Sequence, residues 1–260
     1  MAWDEAARAA HQAQLTEEKA RWDAETARRY DTPGEGMFEP GLLQATAGFL
    51  YSLAGGGKAL ELAVGTGRVA LPLAELGVEV HGQDLSPAML ARLRGKPGGQ
   101  GLRLALGDMA THFMGEGYAL VYVVFNSISN LLSQQAQAAC FRNAARHLRP
   151  GGHFVVENFV PQLRHLPPGI NALVTMSSPG YFCVDSYDLL HQRLVSHHFH
   201  FGEGQEARLF RSPHRYLWPA EMDLMASQAG LSLAQRHADW HKAPFTADSA
   251  SQVAVYVRDR

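Results

Sequence analysis

Across residues 59–159, short apolar runs alternate with stretches whose apolar positions recur at helical spacing, which predicts a βα repeat around a buried parallel sheet. Residues 59–64, Ala-Leu-Glu-Leu-Ala-Val, are apolar but for one acid and bounded by glycine, as expected of a strand covered on both faces. The turn Gly65-Thr66-Gly67 follows, then a helical pattern over 68–76 and a second strand over 78–84 that ends on Asp84. Ser86 and Pro87 read as an N-cap and first helical residue of a helix reaching Arg94, closed by the Gly- and Pro-rich turn around Pro97. A third strand, 102–106, ends at Gly107-Asp108-Met109. A fourth, 118–125, is almost wholly apolar and suits the sheet centre, and a helix over 134–148 leads through Arg149-Pro150-Gly151-Gly152 into a fifth, 153–159.

Outside that repeat the pattern changes. Residues 3–29 suit one helix with Trp22 as its buried anchor, broken at Thr32-Pro33-Gly34-Glu35-Gly36, and a second helix spans 40–53 before Gly55-Gly56-Gly57. Residues 174–184, 189–201 and 207–217 alternate like antiparallel strands, with turns near Ser178-Pro179-Gly180 and Gly202-Glu203-Gly204. A helix over 219–229 and strands over 231–238 and 252–258 complete the chain. The expected architecture is α/β: a Rossmann-like, doubly wound, mostly parallel seven-stranded sheet with an N-terminal helical cap and an antiparallel insert. Residues 1–40 form the cap, 41–160 and 217–260 the core, and 161–216 the insert.

Composition narrows the partners. With 46% hydrophobic and 18% charged residues the chain is globular, and a net charge of −2 gives no electrostatic case for nucleic acid or an anionic membrane. Cys140 and Cys183 are too few for a disulfide framework, and no stretch has signal-peptide or transmembrane character, so a cytoplasmic protein with a small-molecule partner is expected.

The chemistry concentrates where strands end. Glycine at 65 and 67 permits positive φ and close approach of a ligand to the backbone, and in a doubly wound sheet Asp84 lies at the neighbouring strand's carboxyl end. On these residues alone a dinucleotide site remains open, because Gly65 to Ala70 satisfies a loose fingerprint and Asp84 follows at about the 20 residues expected of a ribose acid. A NAD-dependent oxidoreductase is therefore the alternative.

Three further signals separate the two: Glu61 inside the first strand, the Gly107-Asp108-Met109 station, and the ending of one helix and two strands. With these the chain resembles the class I S-adenosylmethionine-dependent methyltransferases over roughly residues 40–160 and the C-terminal strands. The resemblance implies S-adenosylmethionine as methyl donor. It implies Asp84 on the ribose hydroxyls and Asp108 with Met109 on the adenine. It also implies Glu61, Ala63, Gly65, Gly67 and Arg68 around the glycine turn, and Leu85 and Met89 beside the ribose acid. Ala63 stands where the family commonly carries glycine. Tyr30 resembles a lid residue, and Phe125 and Asn126 fall where relatives line the methionine end of the donor. A fifth strand followed by an antiparallel excursion and Tyr216-Leu217-Trp218-Pro219 is similar to small-molecule methyltransferases of bacterial secondary metabolism, including aminosugar N-methyltransferases, in which the excursion covers the acceptor and often forms a dimer. A homodimer through the insert is the corresponding expectation, and a peptide acceptor is the alternative to a small molecule.

Methyl transfer is an in-line displacement, so the protein contributes mainly by positioning and by excluding water, and a base is required only when the attacking atom holds a proton it cannot lose unaided. Glu157 and Asn158 at the end of the fifth strand and His198 in the insert are the catalytic candidates; alternation lets only one of Glu157 and Asn158 face the pocket. Asn130, His200, Arg215 and Tyr216 are the acceptor candidates. Loop capping is the competing role for Asn126, Ser127 and Asn130, surface exposure for Arg68 and the histidines, and packing for Trp218. His198 and His200 share one strand face but lack an obvious third ligand, so no metal is expected.

Overall fold

The computed structural model describes residues 3–202 and 206–259. The strands are β1 (Ala59–Leu62), β2 (Val80–Asp84), β3 (Arg103–Leu106), β4 (Tyr118–Val123), β5 (Leu148–Phe159), β6 (Ala172–Ser178), β7 (Tyr181–Asp188), β8 (Arg193–Phe201), β9 (Ala207–Arg215), β10 (Leu231–His237) and β11 (Ser251–Arg258). The helices are α1 (Glu5–Arg21), α2 (Ala24–Arg29), α3 (Pro40–Ala54), α4 (Ala70–Glu75), α5 (Pro87–Arg94), α6 (Gln134–His147) and α7 (Pro219–Gln228).

Seven strands form one sheet in the order β10-β11-β5-β4-β1-β2-β3, parallel except for β11, which runs antiparallel to both its neighbours. The all-apolar β4 is the central strand, as its sequence predicts. Alternation along the strands divides the core into two layers. Leu60, Leu62, Val121, Val123, Phe154 and Val156 pack with α6 and α7, whereas Ala59, Leu120, Tyr122 and Val155 pack with α3, α4 and α5. Each fully buried leucine or phenylalanine in these layers contributes roughly 1.5–3 kcal/mol relative to its exposed state. Strand order reverses between β1 and β4, and in such sheets the crevice beside the reversal is the ligand site.

The four-stranded sheet β6-β7-β8-β9 is wholly antiparallel. Its register places Phe182, Phe199 and Leu209 in one cross-strand row, and Cys183, His198 and Phe210 in the next row on the opposite face. The second face carries the buried Cys183 and Leu194 and turns toward the body of the protein.

Several elements differ from expectation. The N-terminal segment is two helices: the chain turns at Trp22, and Asp23 caps α2 by accepting a hydrogen bond from Thr26 N at 2.8 Å. Trp22 is half-buried, and the residues that α1 buries are His11 and Glu18. The insert has four strands, because Ser178-Pro179-Gly180 splits the run over 174–184 and Asp188 closes a turn with Leu190 and His191 at the start of the run over 189–201. Arg149 to Gly152 lies within β5, with a bulge against β4, and does not form a separate turn. The expected turn at Gly202-Glu203-Gly204 lies outside the described residues.

Candidate functional site

Four loops at the carboxyl ends of β1 to β4 open into one cleft, and α1 closes over it. The cleft holds about 600 Å³ of atom-free space, part of it open to solvent. Its walls are Ala63 and Gly65 after β1, Asp84, Leu85 and Met89 after β2, Gly107, Asp108 and Met109 after β3, and Ser127, Asn130 and Leu131 after β4. Tyr30 and, from the α1 segment, Leu15, Glu18 and Trp22 complete it.

The backbone explains why the glycine turn can line a cleft. Gly65 takes φ 55°, and a Cβ there would point into open space, so the peptide is exposed to a ligand. Gly67 takes φ 81°, but a Cβ there would come within 2.2 Å of Leu93 Cδ1; its glycine serves the packing of α5. Ala63 also has positive φ, 56°, a conformation open to glycine that costs alanine on the order of 1 kcal/mol. After β4, Phe125 and Asn126 are consecutive residues at φ 51° and 63°. Strained backbone of this kind persists where neighbours hold it. Here Glu157 Oε2 accepts from Phe125 N at 2.7 Å and Asn126 Oδ1 from Phe159 N at 2.6 Å.

The three strand-end acids have distinct surroundings. Asp84 accepts from Gly65 N through Oδ2 and from Ser86 N through Oδ1, both at 2.8 Å. Burial raises its pKa, and these amides offset part of the rise. Burial alone would also raise Asp108, yet hydrogen bonds from His11, Ala110 and Thr111 hold it below the usual carboxylate range. Glu61 lies beneath the turn, outside the cleft, and receives the Tyr122 hydroxyl at 3.0 Å; burial pushes its carboxyl up to about 8 against the opposing charge of Arg68.

Several other candidate residues lie outside the walls of the cleft. Arg68 donates to Met37 O at 3.1 Å and stacks over Phe125, 5.2 Å from the ring centre, so it braces the turn to the cap and is not among the residues lining the cleft. Both oxygens of Glu157 are engaged, one by Phe125 N and the other by Trp240 Nε1 at 2.8 Å, so this carboxylate braces the loop after β4. Asn158 is fully buried and donates to Phe159 O. Arg215 is buried in an ion pair with Glu221 at 2.7 Å and also donates to Gln137 and Gln192, and Tyr216 is 1% exposed, so both are committed to packing where the insert joins the core. His198 accepts or donates against the Tyr181 hydroxyl at 2.6 Å, and His200 is exposed beside the same ring; neither lines the cleft. Among the described residues no group of three or more His, Cys, Asp or Glu side chains is arranged to hold a metal ion, and no helix is long and apolar enough to cross a membrane.

The polar face of α1 escaped sequence reasoning. His11 Nε2 meets Asp108 Oδ2 at 2.9 Å, Gln14 donates to Asn130 O at 2.7 Å and accepts from Leu132 N, and Trp22 O accepts from Ser86 Oγ. Positions 11, 14, 18 and 22 form one helical stripe, but a polar stripe facing a polar cleft leaves no hydropathy signal. Its spacing toward Trp22 was the only available clue.

Comparison with known proteins agrees with this geometry. Residues 59–152 match the family model of a methyltransferase domain. No curated protein sequence matches the chain. Among solved structures, the CcbJ methyltransferase from Streptomyces caelestis is 38% identical, with 91% of this chain and 96% of that chain covered and a TM-score of 0.79. The sugar N-methyltransferase KedS8 from Streptoalloteichus is 22% identical over 84% of this chain and 88% of that one, TM-score 0.60. CalS10 from Micromonospora echinaspora, an amino pentose methyltransferase solved with S-adenosylmethionine, is 19% identical over 99% and 98%, TM-score 0.59. The last two share the fold.

Proposed function

The chain belongs to the S-adenosylmethionine-dependent methyltransferases, and from that membership we propose that it methylates an amine nitrogen of a small metabolite in natural-product biosynthesis. The cleft fits the donor. Asp84 offers buried carboxylate oxygens to a ribose diol, and Asp108 an acceptor for the adenine amino group, with Met109, Leu85 and Met89 as its apolar neighbours. The open space over Gly65 leaves room for close approach. When bound, the donor supplies a methyl group already activated as a sulfonium. The protein's own residues hold the two substrates in line and exclude water, with α1 and Tyr30 closing the cleft.

The observation that favours nitrogen is the state of the candidate bases. Glu157 is engaged at both oxygens, Asn158 is a buried amide, and His198 lies outside the cleft against Tyr181. A hydroxyl acceptor needs a base beside it, whereas a neutral amine attacks without one. The names of KedS8 and CalS10, which act on a sugar nitrogen and an amino pentose, point the same way. The insert, taken as residues 161–216, covers the acceptor with its inner face, a homodimer forms through its outer face, and the two buried free cysteines suit a cytoplasmic setting.

Matched acceptors test the chemistry: an amino sugar and its hydroxyl counterpart on one scaffold, each incubated with the donor and analysed by mass spectrometry. Methylated amine alone is expected, and methylation of the hydroxyl partner would overturn the assignment. In calorimetry S-adenosylhomocysteine should bind, NADH should not, and Asp84→Ala should weaken the former at least tenfold, about 1.4 kcal/mol.

A further inference from the structure

Three polar side chains on one face of α1 look down on the cleft, and two of them are committed. His11 is joined to Asp108 and Gln14 to the loop after β4. Glu18, one turn further along the same stripe, is only 7% exposed, lines the cleft and makes no ion pair among the described residues. The Trp22 side chain is the neighbour that donates toward it. A carboxyl taken out of water with a single donor beside it and no paired cation is costly, and such groups in a cleft mark sites where a ligand completes the hydrogen bonding.

The position of Glu18 says which part of a ligand it meets. Directly after α1, Trp22 O accepts from Ser86 Oγ, which pins the last turn of the helix above the carboxyl end of β2. Asp84 is the last residue of that strand. Both carboxyls line the same cleft, Asp84 from its floor and Glu18 from the helix above it.

We propose that Glu18 is a donor-binding residue, taking one ribose hydroxyl of S-adenosylmethionine from the helix side while Asp84 holds the diol from the sheet side. The proposal rests on the assignment of Asp84 to the ribose. Burial pushes the Glu18 carboxyl up to about 8, so at neutral pH it carries a proton and can donate as well as accept. A ribose hydroxyl does both, and the pair is complementary. Because Glu18 is carried by the cap, donor binding and closure of the cap are coupled.

The test is a set of calorimetric titrations with S-adenosylhomocysteine and its 2′-deoxy and 3′-deoxy analogues, on the wild-type chain and on the Glu18→Gln, Glu18→Ala and Asp84→Ala variants. Wild type should prefer the full ribose to at least one deoxy analogue by about tenfold or more. Glu18→Ala should weaken binding of S-adenosylhomocysteine about tenfold and bind the analogue lacking its hydroxyl no more weakly than wild type does, while Glu18→Gln retains part of the preference. If Asp84→Ala erases discrimination but Glu18→Ala keeps the wild-type ratios for both analogues, the Glu18 assignment is wrong and that of Asp84 stands. If wild type does not discriminate at all, both fall.

Discussion

A glutamate inside a buried strand is the least expected residue of the core, and its burial carries a pH signature. Glu61 sits under the glycine turn with the Tyr122 hydroxyl on Oε2, and its pKa rises from 4.5 to about 8. The folded state then holds a proton that the unfolded chain releases above pH 4.5. Stability is greatest below that value, falls as pH rises toward about 8, and levels off beyond it, with a slope on the order of 1 kcal/mol per pH unit for this group. Glu61→Gln keeps the hydrogen-bonding shape without the titration. Denaturant melts between pH 5 and 8 should therefore show a shallower decline for the variant, and parallel curves would mean that Glu61 is ionised in the folded protein. At this scale the sequence was informative where position and chemistry coincide: Asp84, Asp108 and Met109 lie in the cleft wall, as strand ends required. It misled where a side chain's partner comes from far along the chain. Nothing near Glu157 announces Trp240, and nothing near Arg215 announces Gln137.

Elements were legible in proportion to the local chemistry that marks their ends. The helix after β2 runs over the predicted residues 87–94, because Ser86 caps it by accepting from Met89 N and Pro87 starts it. The break at Trp22 was missed because Asp23, a strong N-cap, stands inside an otherwise unbroken helical composition. The turn after Asp188 was missed for the opposite reason: Leu189 and Leu190 look like strand residues, yet they are exposed and the aspartate side chain makes the turn. How α1 is fastened is a question at this same scale. It meets the cleft loops through His11, Gln14 and Trp22 O, and His11 supplies the side-chain contact to Asp108. Replacing His11 by alanine removes a buried charge-assisted hydrogen bond of about 1.5–3 kcal/mol from the docking of the helix, but none from the sheet. Limited proteolysis should cleave His11→Ala several-fold faster within residues 8–21 while the fragment from residue 40 onward persists. An unchanged cleavage rate would show that Gln14 and Trp22 suffice to hold the helix.

For the molecule as a whole, the order of the strands decides where chemistry can occur and where association can. The crevice beside the β1–β4 reversal collects four loops on one edge, and α1 covers them. On the same side, the second sheet meets the cap through its inner face and edge: Phe210 lies 6.4 Å from the Trp22 ring and Arg208 pairs with Glu25 at 2.9 Å. Its outer face, with Val174, Phe182, Val184, Val195, Phe199 and Leu209 in adjoining rows, has no covering element among the described residues. Val174 is 57% exposed and Phe201 51%. Exposed apolar side chains flanking the His197–Arg211 row of a four-stranded sheet are poorly suited to water, and in the proposed dimer a second copy of the same face would cover them by two-fold symmetry. Sedimentation at micromolar concentration should give a dimer for the wild-type chain. The double variant Val174→Asp, Leu209→Asp, placed at opposite edges of that face, should shift it to monomer without weakening S-adenosylhomocysteine binding, since neither residue lines the donor cleft. A wild-type monomer would remove the dimer and leave the outer face as the place to look for a different partner.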